Sequence, residues 1–429
     1  MPRIGFGAVV LAGVVLLSVR TPGQDQSAFV RLSLQATPRV TDLSVLRQQR
    51  IEIPNPALLS DPQRSTVLNL NLFSDVSFRA VRERIETTTH GIAWIGALEG
   101  YADSNAVFVV VENELIGHIF APFGFFRVAR QTDGFYMAQQ IDPQVTRPND
   151  VELVPPTGTS ALSTFPRWTT SADDGSVIDI LVAYTQEALR KFRSTSQARA
   201  DIELAVNETN VALLHSGINT RIRLVHVVDI EYDETGDGDS DLERLRNASD
   251  GFLDGIHALR DRHAADLVAL IVERSDVCGI AYRGAIQPWG PDYAFSLSQR
   301  YCLGSGLTFA HEIGHNLGAS HDWYETDATG AFPFSHGYVN VAGRFRDIMS
   351  VPDHCRDAKV DCPRMVFYAN PALRHQGQPQ GTSVGTGVTC KARNLDNPPC
   401  DADLAQTFAM MAPFVAQYRD SSRVRPAKR

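Results

Sequence analysis

The run His311-Glu312-Ile313-Gly314-His315-Asn316-Leu317-Gly318-Ala319-Ser320-His321-Asp322 holds the residue types of a hydrolytic metal centre. On a helix, positions four apart share a face, so His311 and His315 can aim imidazole nitrogens at one ion. Glu312 stands beside them without being needed as a ligand, which leaves its carboxylate available for proton transfer. Gly318 can take the left-handed backbone that ends a helix and turns the chain sharply. That turn returns His321 as a third nitrogen. Three neutral imidazoles plus a water make an open tetrahedral zinc site of the catalytic kind, because a structural zinc fills all four positions with protein ligands. His-Glu-x-x-His alone arises on many amphipathic helices; Gly318 and His321 together make accident a poor account of it.

The chemistry such a site performs is hydrolysis of a carbonyl bond. Zinc would lend Lewis acidity to a water and to the scissile carbonyl. Glu312 is placed to take the water proton and return it to the leaving amine. Asp322 is expected to fix the helix end or the neighbouring loop by hydrogen bonds. Downstream, Asp347-Ile348-Met349-Ser350 puts Met349 in a tight turn after a polar loop, where it would floor the three imidazoles without ligating.

On these residues the region from about Val177 to Tyr418 resembles the metzincin metallopeptidases. The motif ends His321-Asp322, as in the reprolysin (adamalysin) and snapalysin-like branches. Astacins and serralysins carry a tyrosine two residues after the methionine; Val351 stands there, so that contact is not carried over. The fragments Val277-Cys278-Gly279-Ile280-Ala281-Tyr282, Leu307-Thr308-Phe309-Ala310 and His336-Gly337-Tyr338-Val339 resemble bacterial peptidyl-Asp metalloendopeptidases. That resemblance also raises His336 above the other histidines, which read as ordinary surface or hydrogen-bonded residues. It implies protein or peptide substrates cut on the amino side of acidic residues. A cation must then line the pocket behind the scissile bond, best an arginine with its bidentate fork. In metzincins the segment after the methionine turn walls that pocket. Here Ser350 to Pro371 contains Arg356, Lys359 and Arg364, of which Arg364 is the first choice. Two other functions stay open: an inert metalloprotease-like adhesion or matrix-binding protein, and a zinc amidase acting on cell-wall peptides.

The elements that must position these groups alternate from Val177 onward. Val177–Tyr184, Ile222–Tyr232 and the nearly continuous apolar run Ala265–Glu273 read as strands, and Ser196–Leu214 as a helix. Tyr293–Leu297 is expected as the edge strand along which a peptide lies. The zinc helix is expected to start near Ser305 as N-cap. Leu404, Phe408, Met411, Val415 and Tyr418 recur at helical spacing, with Pro413 a source of a kink. The expected class is an α/β (α+β) metzincin domain with a twisted, mostly parallel sheet and a long active-site helix, preceded by a β-rich propeptide-like domain. In that leader Ala106–Val111 and Ile92–Gly96 read as strands, while Phe78, Val81 and Ile85 give Ser77–Thr87 a helical spacing.

Domain bounds follow composition: a signal peptide over 1–24, a β-rich leader with linker over 25–172, and the catalytic region over 173–429. Arg3 precedes the apolar run Ile4–Val19, with cleavage expected near Gly23 or Gln24. The run is short for a membrane span, so secretion without stable membrane insertion is expected. Residues Val154 to Ser176 carry prolines, glycines and Asp173-Asp174, the composition of a linker. The six cysteines all fall in the second half, which in an exported chain reads as disulfides. Loop closure favours neighbour pairing: Cys278 with Cys302, Cys355 with Cys362, Cys390 with Cys400. The leader has no cysteine, so it cannot block zinc with a thiolate and must use steric cover, a carboxylate or another ligand.

A net charge of −9 gives no basis for a nucleic-acid partner. The acidic run Asp233–Glu243 is expected as a solvated loop. Calcium there is unsupported, because Leu242 stands where an EF-hand loop needs glycine. Asn207 and Asn247 match the glycosylation pattern but carry little weight. The basic end, Arg423 to Arg429, is expected to fray, and oligomeric state has no sequence signal.

Overall fold

The computed structural model describes residues 27–31, 40, 44–53, 56–131, 133–142, 150–153, 176–284, 290–303, 306–393 and 395–420. The expected signal run, the linker with Arg167 and Ala172-Asp173-Asp174, Ser305 and the basic end lie outside these residues.

Nine strands close into a barrel: β1 (Ser27–Arg31), β2 (Val45–Glu52), β3 (Val67–Asn71), β4 (Ser77–Thr87), β5 (Gly91–Leu98), β6 (Asn105–Val111), β7 (Glu114–Ala121), β8 (Gly124–Arg130) and β9 (Tyr136–Ile141). Neighbours run antiparallel, and β1 closes the ring by pairing parallel with β3. The helical spacing of Ser77–Thr87 is therefore misleading, because this segment is β4. A register shift between Arg82 and Arg84 changes the strand's phase, so Phe78 and Ile85 pack on the same core although seven residues apart.

Strand β6 is buried along its whole length, and alternation explains why. Ala106, Phe108 and Val110 face the barrel interior with Trp94 and Phe126. Val107, Val109 and Val111 face outward into a second core shared with the helix α2 (Thr195–His215). Both faces of the strand are thus core faces. Around this contact the barrel supplies partners to carboxylates of α2. Arg127 donates to Asp201 at 2.9 Å, the His90 amide to Glu203 at 2.9 Å, and His118 bonds Glu208. Asn207 lies in the same helix, 3% exposed and bonded to Glu203 O, which removes it as a glycan acceptor in the folded chain.

The second layer is a six-stranded sheet of β10 (Asp150–Leu153), β11 (Val177–Thr185), β12 (Arg221–Ile230), β13 (Leu267–Val272), β14 (Gly279–Tyr282) and β15 (Phe295–Gln299). Its order is β10-β14-β15-β13-β11-β12, and only the β14–β15 ladder is antiparallel. Helix α1 (Gln186–Phe192) follows β11, capped by Thr185. Helices α3 (Gly238–Arg246) and α4 (Gly255–Arg262) pack one sheet face through Leu242, Leu245 and Ile256, joined by Leu253 of the segment between them. With α2 on the other face, β13 is covered on both sides and reads apolar throughout. The expected edge strand is corrected here: β15 is internal, fully buried from Phe295 to Ser298, and β14 stands at the cleft. The strand beyond β14 is β10, contributed from before residue 173.

The acidic run is a solvated loop only in part: Asp233, Asp237, Asp239 and Glu243 are exposed, but Glu234 and Asp241 are buried and α3 begins at Gly238. Asp237 caps α3 by accepting from Ser240 N at 2.7 Å, and buried Glu234 accepts from the amides of Glu273 and Arg274 at 2.8 and 2.7 Å. Helices α5 (Arg300–Leu303) and α6 (Thr308–Asn316) follow the sheet, then α7 (Asp353–Asp357) and α8 (Leu404–Val415), which carries Pro413 near its end. Cysteines pair 278–302, 355–362 and 390–400. The first pair ties the approach to β14 to α5, and the second closes the loop after Met349.

Candidate active site

The motif residues fall on α6 and the turn that ends it. The helix begins at Thr308 with Leu307 as a left-handed N-cap, φ 56°, and no side-chain cap bond. At the other end Ala319 N bonds Gly314 O at 3.0 Å and Gly318 N bonds His315 O at 2.8 Å. That nested pair is a Schellman motif, and Gly318 occupies its left-handed position with φ +92°. The turn carries His321 back beside the helix.

The three Nε2 atoms converge at 3.0 Å (His311–His315), 3.1 Å (His311–His321) and 3.2 Å (His315–His321). Tetrahedral Zn–N bonds place neighbouring nitrogens about 3.3 Å apart, so the triad has the spacing of a zinc cage. His311 Nδ1 lies 2.8 Å from Ile348 O and His315 Nδ1 3.0 Å from Ala319 O. Each Nδ1–H is thereby committed as a donor, and each Nε2 lone pair points inward. Burial depresses all three pKa values, His315 to about 3 and the other two well below the ordinary range, with the Arg364 charge adding to the effect. Three convergent neutral lone pairs suit a divalent cation. They are the only group of three potential ligands among the described residues.

Supporting groups surround the triad. Asp322 Oδ1 accepts from Tyr324 N at 3.0 Å and Oδ2 from Val351 N at 3.1 Å, so it joins the end of the motif to the methionine turn. Burial pushes its carboxyl up to about 7 against those two bonds. Met349 is fully buried, and a methyl added to Gly314 would fall 2.3 Å from its Sδ, which puts the sulfur directly against α6. Asp347 fixes the same turn, accepting from Ser350 Oγ at 2.6 Å and from Ala369 N at 3.0 Å. His336 Nδ1 lies 2.8 Å from His321 O, and its ring stacks on Trp323 at 3.7 Å. It positions the third ligand through the backbone.

Glu312 is fully buried next to β14: a methyl on Gly279 would come within 2.2 Å of its Oε1. Asn316 ties α6 to the sheet by donating to Tyr282 O and Phe295 O at 2.8 and 3.1 Å. Of the three cations after the methionine turn, Arg356 is exposed and paired with Asp353, and Lys359 is exposed. Arg364 is half-buried, donates to Gly306 O at 2.8 Å ahead of α6, and its charge reaches all three imidazoles. Two groups escaped the sequence reasoning. Glu152 of β10 is buried, its Oε2 3.4 Å from His315 Nδ1, and Arg283 stands 3.6 Å from its other oxygen. Burial pushes Glu152 up to about 7, with Arg283 pulling back. Glu152 is some 160 residues before the motif, and no local pattern marked it.

Residues 174–350 match the family model Reprolysin_5, described as Metallo-peptidase family M12. That stretch is similar to M12 metallopeptidases over less than half of the chain. It contains α6, the triad and the methionine turn, and the family implies a catalytic zinc, which the triad's donor set fits. Curated proteins to which the chain is similar are each named peptidyl-Asp metalloendopeptidase. The protein from Stenotrophomonas maltophilia is 31% identical over 49% of this chain and 49% of its own length. That from Xanthomonas campestris pv. campestris is 27% identical over 65% of each. That from Pseudomonas aeruginosa is 32% identical over 46% of this chain and 35% of its own. The chain thus spans between about a third and two thirds of the length of these relatives.

Proposed function

We propose that the chain is a secreted zinc endopeptidase that cuts on the amino side of acidic residues and whose leader through residue 172 is a propeptide. The observation that carries the peptidase reading is the convergence of three buried imidazoles within 3.2 Å beside Glu312, on a helix lying along β14. His311, His315 and His321 would hold the metal. Zinc, when bound, supplies Lewis acidity for the attacking water and the scissile carbonyl. Glu312 takes the proton of that water and delivers it to the leaving nitrogen. Its dry setting favours this role, since a carboxylate out of bulk water is the stronger base. A peptide reaches these groups by adding a strand to β14, whose main chain offers ladder bonds irrespective of sequence. Acid preference is supported by the relatives' names and by the partly buried Arg364, whose guanidinium lies at the α6 entrance. Among the described residues no helix is long and apolar enough to cross a membrane.

The Glu312→Gln chain should retain its zinc and lose about 10²–10⁴-fold in peptide cleavage, the usual worth of a general base. Full residual activity would reject the assignment. Mass-spectrometric mapping of cuts in a proteome-derived peptide library should show Asp enriched after the scissile bond. A flat profile would remove the acid preference and leave the endopeptidase standing.

A further inference from the structure

The strand laid along β14 comes from the leader. β10 pairs in parallel with β14 from Asp150↔Gly279 to Leu153↔Tyr282, and the Arg283 amide extends the ladder to Leu153 O at 2.9 Å. Ladder bonds are indifferent to side chains, so the placement of Glu152 needs its own cause. Its side chain is 9% exposed. Oε1 lies 2.8 Å from Ser320 Oγ, which also reaches Ala328 O at 2.7 Å, and 3.6 Å from Arg283 Nη1. Arg283 is itself 12% exposed, and Nη1 has no hydrogen-bond partner among the described residues. A buried guanidinium with unused donor capacity is costly unless an anion comes to it. Glu152 is that anion in the intact chain, and it departs with β10 if β10 leaves.

The geometry points to a subsite for an acidic side chain, built by Arg283 and Ser320 at the C-terminal end of α6 and filled in the intact chain by Glu152. Its ligand class is a peptide lying along β14 with Asp or Glu in that position. The subsite is separate from Arg364, which meets Gly306 ahead of the N-terminal end of the same helix. Two cations therefore bracket the imidazoles, one at each end of α6. Arg283 follows β14 directly, so any strand added to that edge passes it. The inference rests on the reading of β14 as the peptide-binding edge.

The test uses the full chain carrying Glu312→Gln, so that nothing is hydrolysed, together with Glu152→Ala to vacate the subsite. Two fluorescent tetrapeptides are titrated, Asp-Val-Glu-Leu and Asp-Val-Gln-Leu. The tethered strand competes equally with both, so the ratio of their affinities isolates the side chain. The acidic peptide should bind at least about tenfold more tightly, the worth of one charge-assisted hydrogen bond. Adding Arg283→Gln should bring the ratio near one. Equal affinities before that change, or a preference that survives it, would overturn the subsite. Should Arg283→Gln fail to fold, Ser320→Ala must narrow the ratio, and an unchanged ratio there overturns it too. Turnover plays no part in this readout, so a failure here is distinct from a failure of the peptidase reading.

Discussion

Replacing Gly279 by alanine should remove catalysis while sparing both the zinc cage and the fold. The added methyl would sit 2.2 Å from Glu312 Oε1, 2.7 Å from its Cδ and 2.7 Å from Thr308 Cγ2. Ordinary contact begins roughly 1 Å further out, and the group that yields most easily is the end of the Glu312 side chain, not backbone. Gly279 is absent from the left-handed glycines, so alanine fits its backbone. Its ladder partners Asp150 and Ser298 need no side chain there. A displacement of about 1 Å in a proton-transfer group costs on the order of 10²-fold in rate, about 2.7 kcal/mol of barrier. None of His311, His315 and His321 is among the three nearest atoms, so zinc stoichiometry should match the parent. Steady-state cleavage of an acidic peptide, metal analysis and a thermal melt on the same preparation decide the matter. A kcat within threefold of the parent, or loss of zinc, would refute the placement of the carboxylate against β14.

Other perturbations follow from the same geometry. Arg364→Gln should cut the preference for Asp over Asn after the scissile bond by about 10–100-fold, the range for a charged hydrogen bond, with Arg364→Lys intermediate. An unchanged ratio in a variant with a normal melt would exclude Arg364. Asp266, 3% exposed, has its carboxyl pushed up to about 7 by burial, against bonds from the amides of Asp179 and Arg419. A folded pKa above the unfolded one stabilises fully below the unfolded value, and the gain is lost as pH rises through the folded one. Parent stability should therefore fall by about 2–4 kcal/mol between pH 4 and 8 through this group. The Asp266→Asn chain should lack that slope in denaturant titrations, and an identical slope would show that the group does not titrate there.

The metal centre was legible because its chemistry is local. Helical period fixes His311 against His315, and one glycine suffices to bring back His321. Disulfide pairing was legible for a similar reason, as each partner is the next cysteine along the chain. Errors arose where distant segments set the environment. Nothing within Ser77–Thr87 announces the register shift that gives β4 a helical spacing. Tyr293–Leu297 passed for an edge, because the two strands that flank β15 there, β13 and β14, come from elsewhere in the chain. Glu234 looked like solvated charge, whereas it is buried and the amides of the segment after β13 consume it, while Asp237 stays exposed and caps α3. Glu152 and Arg283 are 131 positions apart in sequence and meet only because β10 crosses to the six-stranded sheet.

That crossing bears on maturation. On the proposed specificity, self-cleavage would fall at Ala172-Asp173-Asp174, with Arg167 the rival if a trypsin-like protease does the work. Either cut falls after β10, so the strand stays with the leader. The contacts of the barrel predict that the leader would stay attached after such a cut. Val107, Val109 and Val111 share a core with α2, and Arg127, His90 and His118 hold Asp201, Glu203 and Glu208. Parting the two would expose that apolar face and leave the buried carboxylates of Asp201, Glu203 and Glu208 without these partners, which is costly. Cleavage of the linker should therefore leave a latent complex, and activity should appear only when the barrel is released or degraded. Purified chain allowed to process itself should show a new terminus at Asp173 while both fragments co-elute on size exclusion and peptide cleavage stays low. Adding a protease that digests the barrel should then raise cleavage. Full activity in the co-eluting complex would mean that β10 does not cover the cleft, whatever becomes of the terminus.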